Sequence, residues 1–238
     1  MSTDSTHTNR LKLSTIQARD LPEAWFLCLK EVLTNGYDYK IDRGSYQGQY
    51  RRELDYITLQ ILNPGTRPLV PTTPLGVPSP STMEYVEQYL PYLMTSHIAD
   101  REQYTYGQYL ESQIAKAIEI YRAYGPNNNQ LYMAVGDMRS IYLTDPPCLR
   151  GIDTRIRYGK LHFMVYFRSW DLWAGLPSNL AAIQLLKEYM ASEIGVEDGE
   201  IIAASKGLHL YEYSWELASQ IVGTSWKQER TRDSKPNP

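Results

Sequence analysis

Three short segments carry side chains whose types and spacing could do chemistry. In Asp145-Pro146-Pro147-Cys148-Leu149-Arg150, two prolines restrict the backbone just ahead of a cysteine, and an arginine follows two positions later. A thiol held near positive charge ionises more readily, and the thiolate is the nucleophile. A cysteine beside prolines is also an ordinary loop residue, and that reading stands beside the first. The second segment runs from Phe167-Arg168-Ser169-Trp170-Asp171 to Gly175-Leu176-Pro177-Ser178-Asn179, leaving an apolar strand and entering a helix. Arg168 next to the Ser169 hydroxyl suits paired donation to a phosphate or carboxylate. Asn179 is either a helix cap or a polar reader. The third segment is Gly207-Leu208-His209-Leu210-Tyr211.

The elements that must position these residues follow from periodicity. Leu21-Pro22-Glu23-Ala24 opens a helix with Trp25, Cys28, Leu29 and Val32 on one stripe, and Asn35-Gly36 stops it. Cys28 on that stripe reads as a small buried thiol. A glycine-bearing loop, Arg43 to Gly48, precedes a strand over Leu54 to Leu62. Six prolines between Asn63 and Pro80 exclude a regular helix or a central strand there. Ser81-Thr82-Met83-Glu84 resembles a capping box at the head of a helix bearing Val86, Tyr89, Leu90 and Leu93. Another helix is expected from Gln103 to Tyr124, ended by Gly125-Pro126. Strands follow: Leu131 to Val135, then a hairpin turning at Tyr158-Gly159 with Leu161, Phe163, Val165 and Phe167 on one face. A helix over Ser178 to Glu193 and strands over Ile201 to Ser205 and Leu208 to Tyr213 close the body.

These elements make one α+β domain over residues 14–223, a mixed β-sheet packed with helices, between tails at 1–13 and 224–238. The 238 residues are enough for a real core, and 42% hydrophobic with 21% charged residues disfavours disordered and fibrous classes. A net charge of −3 argues against holding duplex DNA through its phosphates. Cys28 and Cys148 lie 120 positions apart, which assembles neither a disulfide framework nor a zinc site, and no metal is expected. No apolar run approaches the ~18 residues of a membrane helix, and the polar head lacks a signal-peptide core, so a cytoplasmic protein is expected. The 20 tyrosines against 5 Trp and 3 Phe must supply much of the core with rings whose hydroxyls need partners.

The series Pro-Pro-Cys148, then Tyr166-Phe167-Arg168-Ser169-x-Asp171, then Gly175-Leu176-Pro177-x-Asn179, then His209-x-Tyr211 resembles the signature of the thymidylate synthase family. The intervals agree as well: 20 residues from Cys148 to Arg168, 11 to Asn179 and 30 to His209. Upstream counterparts are Asp42-Arg43, Pro68-Leu69-Val70 with Thr72-Thr73, and Thr105-Tyr106-Gly107. The resemblance implies that Cys148 attacks C6 of a pyrimidine nucleotide. C5 then takes a one-carbon unit from 5,10-methylenetetrahydrofolate or a related methylene-tetrahydropterin. It further implies that Arg168, Ser169 and Arg43 hold the 5′-phosphate, that Asn179 reads uracil O4 and N3–H, and that His209 and Tyr211 bind the 3′-hydroxyl. Asp171 would face the pterin-like ring and Tyr106 would assist loss of the C5 proton. The family's proton-relaying glutamate falls at Glu84 when counted from Thr72-Thr73, with Glu87 as the fallback. A homodimer formed through a sheet face is also implied. The apolar hairpin face Leu161 to Phe167 is a candidate for that surface, an ordinary core face being the alternative.

The chain departs from the better-known members at several positions. Leu149 replaces a histidine, Phe167 a glutamine and Ser178 an aromatic residue, and Asn129-Gln130 stand where an arginine pair reaches the neighbour's phosphate. Arg150, Arg139 or Arg155 are the candidates to compensate. Little chain follows His209-x-Tyr211, so the sequence is more similar to the short archaeal-type thymidylate synthases. Methylation of dUMP is the first expectation. Hydroxymethylation of CMP, dCMP or dUMP by water addition is the second, and a non-catalytic nucleotide- or RNA-binding regulator is the third.

Overall fold

A computed structural model describes residues 10–44, 46–98 and 103–223; most of the first expected tail and all of the second lie outside them. The elements in chain order are β1 (Leu13–Ala18), α1 (Leu21–Asn35), β2 (Tyr37–Lys40), β3 (Tyr50–Glu53), β4 (Tyr56–Ile61), α2 (Met83–Met94), α3 (Gly107–Tyr124), β5 (Tyr132–Ala134), β6 (Leu149–Arg157), β7 (Lys160–Phe167), β8 (Trp170–Asp171), α4 (Gly175–Ile194), β9 (Glu197–Ser205), β10 (Leu208–Tyr211) and α5 (Trp215–Val222). The fold is α+β. Its strands form a six-stranded mixed sheet in the order β1-β4-β9-β7-β6-β5 and a four-stranded sheet in the order β2-β3-β10-β8. β1 begins at the last residue of the expected N-terminal tail, pairing Leu13 with Tyr56 in parallel.

Helix α4 is the centre of the molecule. Leu176, Leu180, Ala182, Ile183, Leu186 and Met190 are all buried, and burial extends around the helix rather than along one stripe, as for a helix enclosed on several sides. It packs against α1, α2, α3, β7 and β9. One face of the long sheet presses on it through alternate residues: Leu161, Phe163, Val165 and Phe167 of β7, with Ile201 and Ala203 of β9. This corrects the expectation for the β6–β7 hairpin. Its apolar face is core beneath α4, because only the helix covers that much apolar surface. The opposite face carries the half-exposed His162, Met164 and Tyr166 and the exposed Ile202.

Three helix starts differ from the sequence reading, the first being α4, which begins at Gly175, three residues ahead of the expected Ser178. The cap of α2 is Thr82, whose hydroxyl accepts from the Tyr85 backbone N–H, so Glu84 lies inside the first turn and does not close a box with Ser81. Helix α3 starts at Gly107, four residues later than expected, because the Thr105 hydroxyl donates to the Thr95 carbonyl and accepts from the Gln108 N–H. A Cβ on Gly107 would overlap the Thr95 backbone at 1.9 Å, so the head of α3 can abut the end of α2 only with glycine there. The late start leaves Tyr104 and Tyr106 ahead of the helix body, both within electrostatic reach of Cys148.

Candidate active site

The small sheet builds one wall of the site by register alone. Tyr37 pairs with Glu53, Glu53 with His209, and His209 with Asp171; in the adjacent row Tyr39 pairs with Arg51 and Arg51 with Tyr211. Rows two residues apart share a face, so Arg51, Glu53, His209, Tyr211 and Asp171 project together. Arg51 is half-buried, donates to the Tyr39 hydroxyl and pairs with Glu53 at 3.1 Å. Burial raises the Glu53 carboxyl, and the Arg51 guanidinium opposes that rise. Arg52, of opposite parity, forms a bidentate bond to Asp38 on the other side, at 2.6 and 2.9 Å.

Cys148 sits at the mouth of β6, half-buried. Its carbonyl accepts from the Arg168 backbone N–H at 2.8 Å, which ties the end of β7 to the cysteine loop. The Arg168 side chain then clamps that loop: Nε donates to the Pro147 carbonyl at 3.1 Å, and Nη2 reaches the Pro146 carbonyl and Asp145 at 3.0 Å. Burial pushes the Cys148 thiol up, while Arg168 and Arg51 pull it down against Asp145 and Asp171. The thiol is further surrounded by tyrosines: Tyr89, Tyr104, Tyr106 and Tyr211 all lie within electrostatic reach of it. Tyr106 accepts from the Leu149 N–H at 3.3 Å, and burial holds its phenol far above the ordinary range. Burial also raises Tyr104, to about 12.

Asn179 lies one turn into α4 and does not cap it. Its Oδ1 accepts from Trp170 Nε1 at 3.0 Å and its Nδ2 donates to the Tyr89 hydroxyl at 3.0 Å. The head of α4 is instead held by Asp171, which accepts from the N–H groups of Trp173 at 3.1 Å and Gly175 at 3.2 Å. Burial raises the Asp171 carboxyl, and these N–H bonds, with one from Ala174, oppose the rise.

His209 is buried in β10 with Nδ1 against the Gly207 carbonyl at 2.9 Å, and Nε2 has no partner among the described residues. A carbonyl only accepts, so Nδ1 carries the proton and Nε2 presents a lone pair. Burial pushes this imidazole down to about 4, the nearby Arg51 and Arg168 acting in the same direction against the Gly207 bond. The unfolded chain therefore takes up a proton near pH 6.5 that the folded chain accepts only near 4. Stability from this group is complete above about pH 6.5, declines as pH falls through that window and levels off below 4, a loss of about 3 kcal/mol. Urea unfolding between pH 7.5 and 4 is expected to show this decline in the parent and a flatter profile in His209→Gln; identical profiles would exclude His209 as the source.

The sequence-predicted residues thus divide by location. Cys148, Tyr106, Arg168, Asp171, Asn179, His209 and Tyr211 gather in one region around the thiol. Ser169 is half-buried beside Arg168, with no hydrogen bond from its hydroxyl to another described residue. Arg43 is exposed on the loop between β2 and β3, and that loop reaches the site through Tyr46, whose ring stacks on Tyr211 at 4.3 Å. Glu84 and Glu87 are both exposed on α2 and bond to no described residue. Arg139, a candidate to replace the missing arginine pair, forms a salt bridge with Asp137 on an exposed turn.

Arg51, Tyr89, Tyr104 and Trp170 were not singled out by sequence as site residues. A usable signal for one of them, Tyr89, is spacing: Tyr85, Tyr89 and Tyr92 recur at i, i+4 and i+7 on α2, and their rings stack in series at 6.4 and 5.5 Å. Tyr92 then meets Tyr106 edge-on at 5.1 Å. Much of the tyrosine excess is therefore concentrated in this region.

Residues 101–232 match the family model described as thymidylate synthase. A protein of Methanosarcina acetivorans named "Putative thymidylate synthase" is 29% identical over 213 residues, 87% of this chain and 94% of the relative. One of Methanothermobacter marburgensis with the same name is 23% identical over 220 residues, 87% and 97% of the two chains. The thymidylate synthase of Listeria monocytogenes is 34% identical over 100 residues, 42% of this chain and 32% of the relative. With the fold, these matches define a methyltransferase-type enzyme that moves a one-carbon unit to C5 of a pyrimidine nucleotide. The chain belongs to the thymidylate synthase family.

Proposed function

We propose that the protein reductively methylates dUMP to dTMP through a covalent adduct between Cys148 and C6 of the base. The observation that carries this reading is the half-buried thiol on a loop clamped by Arg168, within electrostatic reach of a second guanidinium, Arg51, with the Asn179 amide held nearby through Tyr89. Attack by the thiolate at C6 leaves C5 nucleophilic, and holding that thiolate beside Arg168 lowers the cost of forming it. Arg168 Nη1 makes no hydrogen bond to a described residue, so its two N–H groups remain for a phosphate oxygen, with the Ser169 hydroxyl beside them. Arg43, exposed on the loop whose Tyr46 stacks on Tyr211, would add charge. The His209 Nε2 lone pair and the Tyr211 hydroxyl suit the 3′-hydroxyl of the sugar. Tyr106 is positioned near the thiol to assist proton loss from C5, and Glu84, with Glu87 as the alternative, would reach the site through water.

The donor set also fits a reduced pterin carrier. The Asp171 carboxylate has acceptor capacity left for a ring amidine, and Tyr211 and Tyr213 lie parallel with centroids 6.0 Å apart beside it, a surface for a flat ring. Such a carrier, 5,10-methylenetetrahydrofolate or a relative, supplies the one-carbon unit and the hydride. Asp171 would orient it, and the clustered rings would keep water from the site.

Incubation with dUMP, dCMP and CMP plus methylenetetrahydrofolate, followed by mass measurement of the products, tests the proposal. A methyl gain on dUMP is expected; a hydroxymethyl gain on any of the three would replace methylation with hydroxymethylation, and tight binding with no product under any carrier would leave a regulator. A homodimer through the open face of the long sheet, around His162, Met164, Tyr166 and Ile202, completes the reading. Sedimentation at micromolar concentration should give twice the chain mass, and a single chain mass would exclude it. Free thiols at both Cys28 and Cys148 suit a reducing cytoplasm. Among the described residues, no helix is long and apolar enough to cross a membrane, and no cluster of His, Cys, Asp or Glu is placed to hold a metal ion.

A further inference from the structure

An asparagine that reads a pyrimidine edge has a weakness, because its amide can turn over and offer the reversed pattern. Uracil presents a donor at N3 and an acceptor at O4; cytosine presents an acceptor at N3 and a donor at the 4-amino group. In this protein the amide is bonded at both ends from within the fold. Asn179 Oδ1 accepts from Trp170 Nε1 at 3.0 Å, and Nδ2 donates to the Tyr89 hydroxyl at 3.0 Å. The two anchors are chemically unequal. A phenol can donate or accept, so Tyr89 tolerates either orientation, whereas an indole N–H only donates. Trp170 therefore admits the amide with oxygen toward the indole and rejects the turned one, which would set two donors against each other in a buried place.

The indole itself is held. Trp170 is 2% exposed and lies face to face with Phe167, centroids 4.2 Å apart and planes 6° from parallel. Its backbone N–H donates to the Gly207 carbonyl at 2.9 Å, which secures β8 against β10. Phe167 stands where better-known relatives carry a glutamine, so a polar group is exchanged here for a stacking partner of the tryptophan.

We propose that Trp170, braced by Phe167, is a positioning residue that locks the Asn179 amide in one orientation and thereby selects a 4-oxo over a 4-aminopyrimidine nucleotide. With Oδ1 and Nδ2 each partly used, the amide keeps one lone pair and one N–H for the base, the complement of uracil and the mismatch of cytosine. The proposal rests on the reading of Asn179 as the base-contacting residue.

The test is calorimetric binding of dUMP and dCMP to the full chain without carrier, in the parent, Trp170→Phe and Tyr89→Phe. Trp170→Phe keeps an aromatic ring to face Phe167 and removes the indole N–H together with part of the ring. The parent is expected to prefer dUMP, and Trp170→Phe to lower the dUMP:dCMP affinity ratio about tenfold, chiefly by improved dCMP binding. Tyr89→Phe should weaken both nucleotides while keeping the ratio within about twofold, a split that a general loosening of the site would not produce. An unchanged ratio in Trp170→Phe, an equal fall in both variants, or a parent without preference for dUMP would overturn the lock. If the parent binds neither nucleotide, it is the reading of the site that fails. Should Trp170→Phe not fold, Phe167→Leu retains the N–H but frees the indole to tilt, and it is expected to lower the ratio about threefold; an unchanged ratio there would overturn the proposal equally.

Discussion

Cys148→Ser is expected to reduce turnover of dUMP by more than about 10⁴-fold while nucleotide affinity stays within a few-fold of the parent. The asymmetry follows from the position of the side chain. Cys148 is only half-buried, and its loop is held by backbone and Arg168 contacts that do not involve sulfur: the Cys148 carbonyl takes the Arg168 N–H, and the Pro146 and Pro147 carbonyls take the guanidinium. Exchanging sulfur for oxygen leaves that frame intact and removes the only half-exposed thiol, since Cys28 is fully buried and burial raises it far out of range. Tritium release from C5 and product formation should disappear together, and calorimetry should still record dUMP binding. Turnover within tenfold of the parent would remove Cys148 from the role of nucleophile.

Arg168→Ala should have the second largest effect, because one side chain serves two purposes. Its loss orphans two proline carbonyls that fix the cysteine loop, and it withdraws the principal charge that pulls the thiol down. Misplacement of a nucleophile by about 1 Å can cost about 10²-fold, and loss of a charge-assisted phosphate contact adds to that, so a fall of about 10³-fold in kcat/KM is expected. Two readouts separate the purposes. The pH at which iodoacetamide modifies Cys148 should move up in Arg168→Ala and down in Asp145→Asn, since the Asp145 carboxylate raises the thiol and competes for the same guanidinium. The affinity advantage of dUMP over deoxyuridine should shrink in Arg168→Ala. Arg168→Lys should not restore either property, because one ammonium cannot serve two carbonyls and a carboxylate in the geometry of a planar fork. An unmoved alkylation profile would mean that Arg168 positions the loop without acting on the thiol.

What could be read from the sequence was the local part of this arrangement. Helix α1 follows from 3.6-residue spacing with its start and stop signals, and the body of α4 follows from spacing alone, its start lying three residues ahead of the expected one. The β6–β7 hairpin follows from alternation flanking Tyr158-Gly159, both at positive φ in the turn. The chemistry-bearing segments also stand out because each is short and self-contained. The cap of α2 lies one residue beyond the position its sequence suggests, because Ser81 and Thr82 are both good caps and only the direction of chain entry chooses between them. Helix α5 carries no clear periodic signal because its eight residues are short for such a pattern, although Trp215 and Ala218 anchor it in the core.

The sequence by itself determined the α+β class, the candidate nucleophile and some of the groups around it, Arg168, Asn179, His209 and Tyr211 among them, since residue types and local intervals are properties of the chain alone. Tertiary structure decided their orientation. Arg51 and Arg52 are neighbours in sequence, and only the pairing of β3 with the distant β10 shows that Arg51 shares the face of Glu53, His209 and Tyr211 while Arg52 turns to Asp38. The apolar β7 face became core because α4 lies over it, and the Asn179 amide acquired one orientation because Trp170 and Tyr89 arrive from different elements. Pairing register and the direction of a hydrogen bond depend on which remote groups meet, and no local interval encodes that meeting.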